Sequence, residues 1–426
     1  MTSVEEHRAR IATLLAPALL VTEESDDLPL LDALGRVTSA EVLSPVDLPL
    51  FRNSQMDGFA VNSADLGTIP VELPVVGDLP AGPASPVALA RGTAIRIMTG
   101  AVVPDGADCV VPVEDTGPVE DTVPVENTQQ LRGTVTILRG RAAGEFVRNR
   151  ASDLAAGDRL LPAGLTLAPR HLAAAAAAGI STIAVRRRVR VAVISTGSEL
   201  VAPGEATSPR QTNPEQTHPE QISPGQISPG QIFDSNLVAL SAAVIEAGAE
   251  LVLAERSDDD PATFRDILHR ATALADLVIT SGGISEGAYE VVREVLEPLG
   301  ANVGHVAMQP GGPQATAIVD GVPVLSFPGN PVSTQVSFVV FARPLLLAAA
   351  GTPQVAVNAL PAAGDLTSIP GKRQFLRGRI TDAGVEPVSS ASSHLVAGMA
   401  RADLLIDIPA ETTMVLAGDN VTVWLL

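Results

Sequence analysis

Three segments of this chain set Gly among Ser, Thr and Asn in a spacing that suits oxyanion binding. Ser195-Thr-Gly-Ser-Glu199, Thr280-Ser-Gly-Gly-Ile-Ser285 and Ser326-Phe-Pro-Gly-Asn-Pro-Val-Ser333 each follow or end an apolar run. Hydroxyls beside backbone amides that no Cβ shields form an anion cradle. Ser195, Thr196, Gly197, Ser281, Gly282, Gly283, Ser285, Pro328, Gly329 and Asn330 are therefore candidate substrate-binding residues. A fourth segment, Asn53-Ser-Gln-Met-Asp57-Gly58, puts a polar cluster between apolar flanks, and Gly58 leaves the Asp57 carboxylate unshielded. Taken singly, each loop also fits ordinary turn chemistry, and the fourth fits a turn entering a strand. Asp57, Asp153, Glu199, Asp234 and Asp258–Asp260 sit beside Gly, Ser or Asn. Clustered carboxylates of this kind can hold Mg²⁺ and leave coordination positions for substrate oxygens. Glu199 would repel a phosphate, so its chemistry is that of a metal ligand or a hydrogen-bond acceptor. Asp258–Asp260 precede a helix that starts with proline and equally suit its cap.

Such loops need rigid elements to bring them together. From residue 188 strand and helix patterns alternate, with strands at 189–194, 250–254, 276–280 and 322–327 and helices at 237–247, 261–275, 289–299 and 331–349. That alternation predicts a parallel sheet with helices on both faces. The three Gly-containing loops then fall at strand ends, where ligands bind in open α/β sheets. Upstream, apolar spacing predicts a helix over 4–21, a further turn or two around 28–34, and a helix over 167–180 ended by Gly179. Residues 46–145 are short Val, Ile and Leu runs broken by Gly and Pro, hence β structure, and the acidic near-repeat at 111–126 reads as an exposed hairpin or loop. The short-strand pattern returns after Gly351. The expected fold is a multidomain α/β protein. A three-layer parallel-sheet domain spans 186–350, a β-rich domain is inserted at 46–145, a small β-barrel-like domain occupies 351–426, and 1–45 with 146–185 form a helical linking domain. Within the sheet domain, Pro209, Pro214, Pro219, Pro224 and Pro229 recur with Gln at the same period. Tandem duplication gives an extended or disordered loop over 207–231, either a tolerated expansion or a short-peptide docking site.

At 426 residues the chain exceeds a single core, and about two to four domains are expected. With 46% hydrophobic but 3% aromatic residues, its cores are mostly Ala, Val, Leu and Ile. A formal charge of −20 argues against a general binder of nucleic acid or acidic membranes. An anionic substrate would require basic groups to gather locally. Cys109 is the single cysteine, which excludes a disulfide framework. The first residues lack the basic head and apolar run of a signal peptide. The apolar stretch 336–351 is interrupted by Arg343 and Pro344 and reads as too short to span a bilayer. No membrane insertion and a cytoplasmic location are expected. Lys372 is the one lysine among 28 basic residues, a bias that reads as genome composition.

Residues 48–61 closely resemble the signature of the molybdopterin molybdenumtransferase family, the proteins related to the C-terminal domain of gephyrin. The resemblance continues in family order through Arg96–Ala101, Val147–Leu154, Thr196–Glu199, Asp234–Asn236, Ser281–Ser285 and Phe327–Pro331, and more loosely around Phe375–Arg377 and Ser392–His394. It implies that the sheet domain is molybdopterin-binding-like. It also implies an activity: molybdenum from molybdate is inserted into adenylylated molybdopterin with Mg²⁺-dependent release of AMP, giving molybdenum cofactor. Carried over by position, it makes Asp57, Asp153 and Glu199 catalytic residues and Asp57, Glu199, Asp258 and Asp259 ligands of Mg²⁺. Thr99, Arg377 and Ser393 join the substrate-binding residues. A homodimer with the site built across two subunits is implied as well.

This chain departs from the family pattern in one respect. Many relatives carry lysines in the segment matching His305–Pro313, where this chain has His305, Gln309 and Gly312, and Ala288 stands where many have Asp. Lysine avoidance would predict Arg there rather than Gln or Gly. Each lost charge-assisted contact is worth about 1.5–3 kcal/mol, and Arg148, Arg150 and Arg377 are the remaining cations that could compensate. Gephyrin-like members also act as scaffolds. The second reading is therefore a dimeric scaffold that binds a peptide segment of a receptor or a cell-division filament protein between the sheet domain and the C-terminal domain. The retained Asp57, Asp153 and Glu199 favour the enzyme, because a scaffold has no use for the three together.

Overall fold

The structure, a computed structural model, describes residues 1–20, 24–83, 87–118, 120–124, 131–204, 227–285, 290–352 and 357–426. Most of the Pro/Gln repeat, together with Glu286 and Ala288, lies outside these residues. The chain divides into two compact units, Asp27–Ala184 and Met1–Asp26 with Val185–Leu426. Helix α1 (Val4–Leu19) opens with a reciprocal cap: Ser3 Oγ accepts the Glu6 N–H while the Glu6 carboxylate accepts that of Ser3. Its stripe Val4, Ile11 and Leu15 is buried in one core with Val191, Val193 and Phe341. The helix thus belongs to the sheet unit, so residues 1–26 part from the expected grouping of 1–45 with 146–185, while 27–45 fall in the same unit as 146–184. Amphipathic spacing announces a helix but not the surface it will cover.

In the smaller unit six strands, β1 (Gly58–Val61), β2 (Val71–Leu79), β3 (Ala94–Ile97), β4 (Cys109–Pro112), β5 (Glu120–Pro124) and β6 (Leu131–Ile137), form one sheet in the order β4-β1-β3-β2-β6-β5. Side chains alternate between its faces. Phe59, Val61, Cys109 and Val111 enter one core, and Ala60, Ile95, Ile97 and Val110 enter another. Strands β5 and β6 pair antiparallel, and the acidic near-repeat begins inside the buried strand β4 rather than as an exposed hairpin. Residues 30–35 form turns rather than a helix. Helix α2 (Pro169–Ala177) starts on proline and stops before Gly179, whose φ of +76° ends it.

The larger unit is built on β7 (Arg190–Thr196), α3 (Ser235–Glu246), β8 (Glu250–Ser257), α4 (Pro261–Leu274), β9 (Leu277–Ser281), α5 (Val291–Leu296), β10 (Asn302–His305), β11 (Pro313–Val319) and β12 (Val322–Phe327). The sheet order is β8-β7-β9-β12-β11-β10. The first four strands are parallel, and β11 and β10 extend the sheet antiparallel. Successive residues again part between two faces. Val191, Val193, Leu277 and Ile279 pack with α1 and α3, while Ala192, Ile194 and Val278 pack with Phe264 and Leu268 of α4 and Val292 of α5. The three-layer arrangement follows from that parity. Residues 331–349 are continuously helical, α6 (Pro331–Ser337) passing through a π turn at Phe338–Ala342 into α7 (Arg343–Ala349). Its 19 residues, the bounds expected from the sequence, reach the length of a bilayer span, but 72% of its most apolar stretch is buried inside the fold.

The C-terminal β domain comprises β13 (Val357–Pro361), β14 (Arg373–Thr381), β15 (Gly384–Pro387), β16 (Leu404–Ile408) and β17 (Asn420–Leu425), with the four-residue helix α8 (Val396–Met399) between β15 and β16. Met308 and Gln309 run parallel to Arg373 and Gln374 at the start of β14. That short pairing joins the domain to the sheet.

Candidate functional site

The parallel register brings three strand ends together. Thr196 lies opposite Ser257, Ser195 opposite Ser281, and Ser281 opposite Phe327. The loops that follow therefore leave from one sheet edge. Gly282 donates to the Phe327 carbonyl (3.0 Å) with φ +96°, and a Cβ there would lie 2.7 Å from the Thr196 carbonyl. Only glycine lets the first two loops approach so closely. The second and third loops are fastened from below. Asn236 Nδ2 donates to Ser281 Oγ (2.9 Å) and to the Gly329 carbonyl (2.6 Å), and Ser281 Oγ also meets Thr334 Oγ1 (3.0 Å). Asp234 caps α3 through the Leu237 N–H (3.0 Å) and accepts from Ser195 Oγ.

Above this framework lies a cavity of about 790 Å³, whose wall includes Thr196, Gly197, Glu199, Gly282, Gly283, Ser285, Pro328, Gly329, Asn330 and Ser393 among the residues expected from the sequence. Ser285 is fixed by its N–H to Glu290 (2.8 Å). Asp259 also lines the wall, and it exchanges backbone-to-side-chain hydrogen bonds with Ser198 (3.0 and 3.1 Å). Four of the expected residues are not in the cavity wall. Ser195 and Ser281 are fully buried and hold the framework rather than reach the cavity. Asp258 turns back to the Asp260 N–H (3.1 Å), and it is Asp260 that caps α4 through Ala262 (2.8 Å). Arg377 is fully buried behind the loop that carries Ser393.

Asp57, Thr99 and Asp153 belong to the smaller unit. Asp57 is exposed at the edge of β1, and one carboxylate oxygen accepts both the Thr99 N–H (2.7 Å) and the Thr99 hydroxyl (2.8 Å). The Thr99 amide, then its hydroxyl, holds the Asp57 carboxyl below the usual carboxylate range. Beside it, a Cβ at Gly58 would fall 2.0 Å from the Val111 carbonyl. Asp153 is exposed, with its backbone N–H on the Leu48 carbonyl (2.9 Å).

Sequence reasoning missed the cavity's cation. Lys372 lines the wall together with His305, Gln309 and Gly312. It stands one residue before the Arg373–Gln374 pairing that joins the two sheets, and Gln374 Nε2 donates to Gln309 Oε1 (2.8 Å). Its being the sole lysine of the chain was the available signal. Arg148 and Arg150 lie in the smaller unit, where Arg150 pairs with Asp47.

A sheet-edge cavity walled by hydroxyls, unshielded amides, carboxylates and one lysine is the arrangement of an α/β protein that takes a polar small molecule at its topological switch point. Known proteins narrow that class. Residues 2–179 match the MoeA N-terminal region (domain I and II), 192–348 a "probable molybdopterin binding domain", and 359–426 the MoeA C-terminal region (domain IV). The chain is 40% identical to molybdopterin molybdenumtransferase 2 of Mycobacterium tuberculosis, over 100% of this chain and 99% of that protein. Against molybdopterin molybdenumtransferase 1 of the same organism identity is 30%, over 99% and 98%. A solved structure of the molybdopterin biosynthesis MoeA protein from Pyrococcus horikosii superposes with a TM-score of 0.73 at 30% identity, covering 96% of this chain and 98% of that one. The chain belongs to the molybdopterin molybdenumtransferase family, a family of transferases in molybdenum cofactor biosynthesis.

Proposed function

We propose that this protein inserts molybdenum, supplied as molybdate, into adenylylated molybdopterin and releases AMP with Mg²⁺. The observation that carries the reading is the placement of Glu199, Asp259 and Lys372 on one cavity wall with the three strand-end loops. Amides and hydroxyls of Thr196, Gly283 and Asn330 suit the phosphate of the pterin, and Lys372 suits molybdate. Glu199 and Asp259 suit Mg²⁺, which commonly takes one or two carboxylates and completes its shell with water and substrate oxygens. Bound there, Mg²⁺ would screen the pyrophosphate linkage as AMP departs. The Asp57 carboxylate, kept ionised and oriented by Thr99, is assigned to catalysis, as is Asp153. We further propose a homodimer, which sedimentation will test.

Purified protein given adenylylated molybdopterin, molybdate and Mg²⁺ is expected to release AMP in a molybdate-dependent manner. Absence of release from folded protein, with a relative active in parallel, would overturn the assignment. One observation favours the scaffold reading: an apolar groove of about 640 Å³, lined by Leu240, Ala243, Phe338, Val339, Met399 and Leu426, runs where the sheet meets the C-terminal domain. If AMP release fails, peptide binding in that groove becomes the reading to test.

A further inference from the structure

Asp407 is an acid on an apolar face. Successive residues of the C-terminal strands part between two sides. Leu404, Ile406 and Ile408 pack with Leu376 and Val423 inside the β domain, while Leu405, Phe375 and Trp424 enter the core shared with α1 and the parallel sheet. Asp407 falls on the second side, opposite Phe375, and is 1% exposed. Its Oδ1 accepts Arg373 Nε (2.7 Å), and its Oδ2 accepts Arg373 Nη2 and Trp424 Nε1 (2.8 Å). The remaining arm of Arg373, Nη1, donates to Glu5 of α1. Stability alone gives no reason for such a pair, because well-packed apolar residues of similar volume commonly serve a buried site as well or better. What the pair does fix is the start of β14. The Arg373 N–H reaches the Ala307 carbonyl (2.8 Å), and two residues earlier the Gly371 N–H reaches the carbonyl of Ala410 (3.0 Å). Lys372 stands between these two anchors. It lines the cavity and Arg373 does not, so of two adjacent cations one is neutralised by Asp407 and Glu5 and the other is left to face an incoming anion.

We propose that Asp407 is a positioning residue for oxyanion binding: by holding Arg373 it sets Lys372 in the cavity wall. The ligand is molybdate, an assignment that rests on the function proposed above. Asp407 touches no ligand and acts only through its neighbour. Its pairing with Arg373 is bidentate, and two parallel N–H···O bonds fix orientation as well as energy. Removing the Asp407 charge frees the guanidinium and loosens the first residues of β14. Lys372 then loses the direction in which its ammonium is offered.

Binding of molybdate to the full chain, followed by calorimetry, tests this. Asp407→Asn keeps the shape of the side chain but not its charge, and is expected to weaken molybdate about tenfold. Added to Lys372→Ala, the same substitution should weaken it no further, since the route through Lys372 is already lost. Unchanged affinity in folded Asp407→Asn protein, or an equal loss with and without Lys372, would overturn the proposal. A second variant guards against misfolding: Arg373→Met with Asp407→Leu removes both charges at similar volume. It should stay folded in urea titrations and show the same tenfold loss, and wild-type affinity in that protein would also overturn the proposal. A purely structural role would lower urea resistance and leave molybdate affinity alone. AMP release with no affinity change in Asp407→Asn would sink the positioning role and spare the function. An affinity loss that runs through Lys372, in protein that releases no AMP, would do the reverse.

Discussion

Lys372→Ala isolates the contribution of the only lysine in a chain carrying a formal charge of −20. The side chain is half-buried in the cavity wall, forms no ion pair among the described residues, and shares that wall with the carboxylates of Glu199 and Asp259. Its charge is therefore free for an incoming anion. A charge-assisted hydrogen bond is worth about 1.5–3 kcal/mol, so its loss should weaken molybdate about ten- to a hundredfold. Gln309 cannot replace it at full strength, because a neutral amide donates without charge. The assay is the molybdate dependence of AMP release at saturating adenylylated molybdopterin, run beside Lys372→Arg, which keeps the charge. The Ala variant should raise the half-saturating molybdate concentration by that factor, and the Arg variant should recover most of it. Equal molybdate dependence in a folded Lys372→Ala protein would refute the reasoning.

Three further outcomes are expected. His7 is buried against Phe341, and burial lowers its pKa from 6.5 to about 4. The unfolded chain then binds a proton that the folded chain refuses below pH 6.5, so this stability is fully present above pH 6.5 and falls by up to about 3 kcal/mol as the pH drops to about 4; urea titrations across that range should show the slope, and His7→Leu should flatten it. Asp57→Asn keeps the acceptor that Thr99 uses but removes the charge, so thermal stability should hold while AMP release falls roughly a hundredfold or more. Gly282→Ala places a Cβ 2.7 Å from the Thr196 carbonyl at φ +96° and should cost about 1–3 kcal/mol in denaturant unfolding, with loss of ligand affinity.

What could be read from the residues, and what could not, divides along the range of the interactions involved. Strands β7, β9 and β12 and helices α3 and α4 were legible because their apolar periodicity is local and each is bounded by Gly, Pro or Asp. The antiparallel strands β10 and β11 were not, since Asn302–His305 and Pro313–Val319 carry polar residues, and their strand structure goes with pairing that sequence does not announce, β11 on β12 and β10 in turn on β11. At the site, the loops were legible as loops, but which hydroxyl faces the ligand depends on parity at the last strand residue. Ser195 and Ser281 fall inward, to Asp234 and Asn236, while Thr196 and Gly282, one residue on, meet the cavity. A pattern that predicts strand ends only to within a residue or two cannot make that distinction. The cations show the same limit at longer range. Arg377 has the charge an anion needs and was assigned to it, yet β14 turns it into the core, whereas Lys372 reaches the cavity because Met308–Gln309 pairs with Arg373–Gln374 across more than sixty positions of sequence. Charge announces which residues an oxyanion site can use; the pairing of two distant strands decides which one it gets.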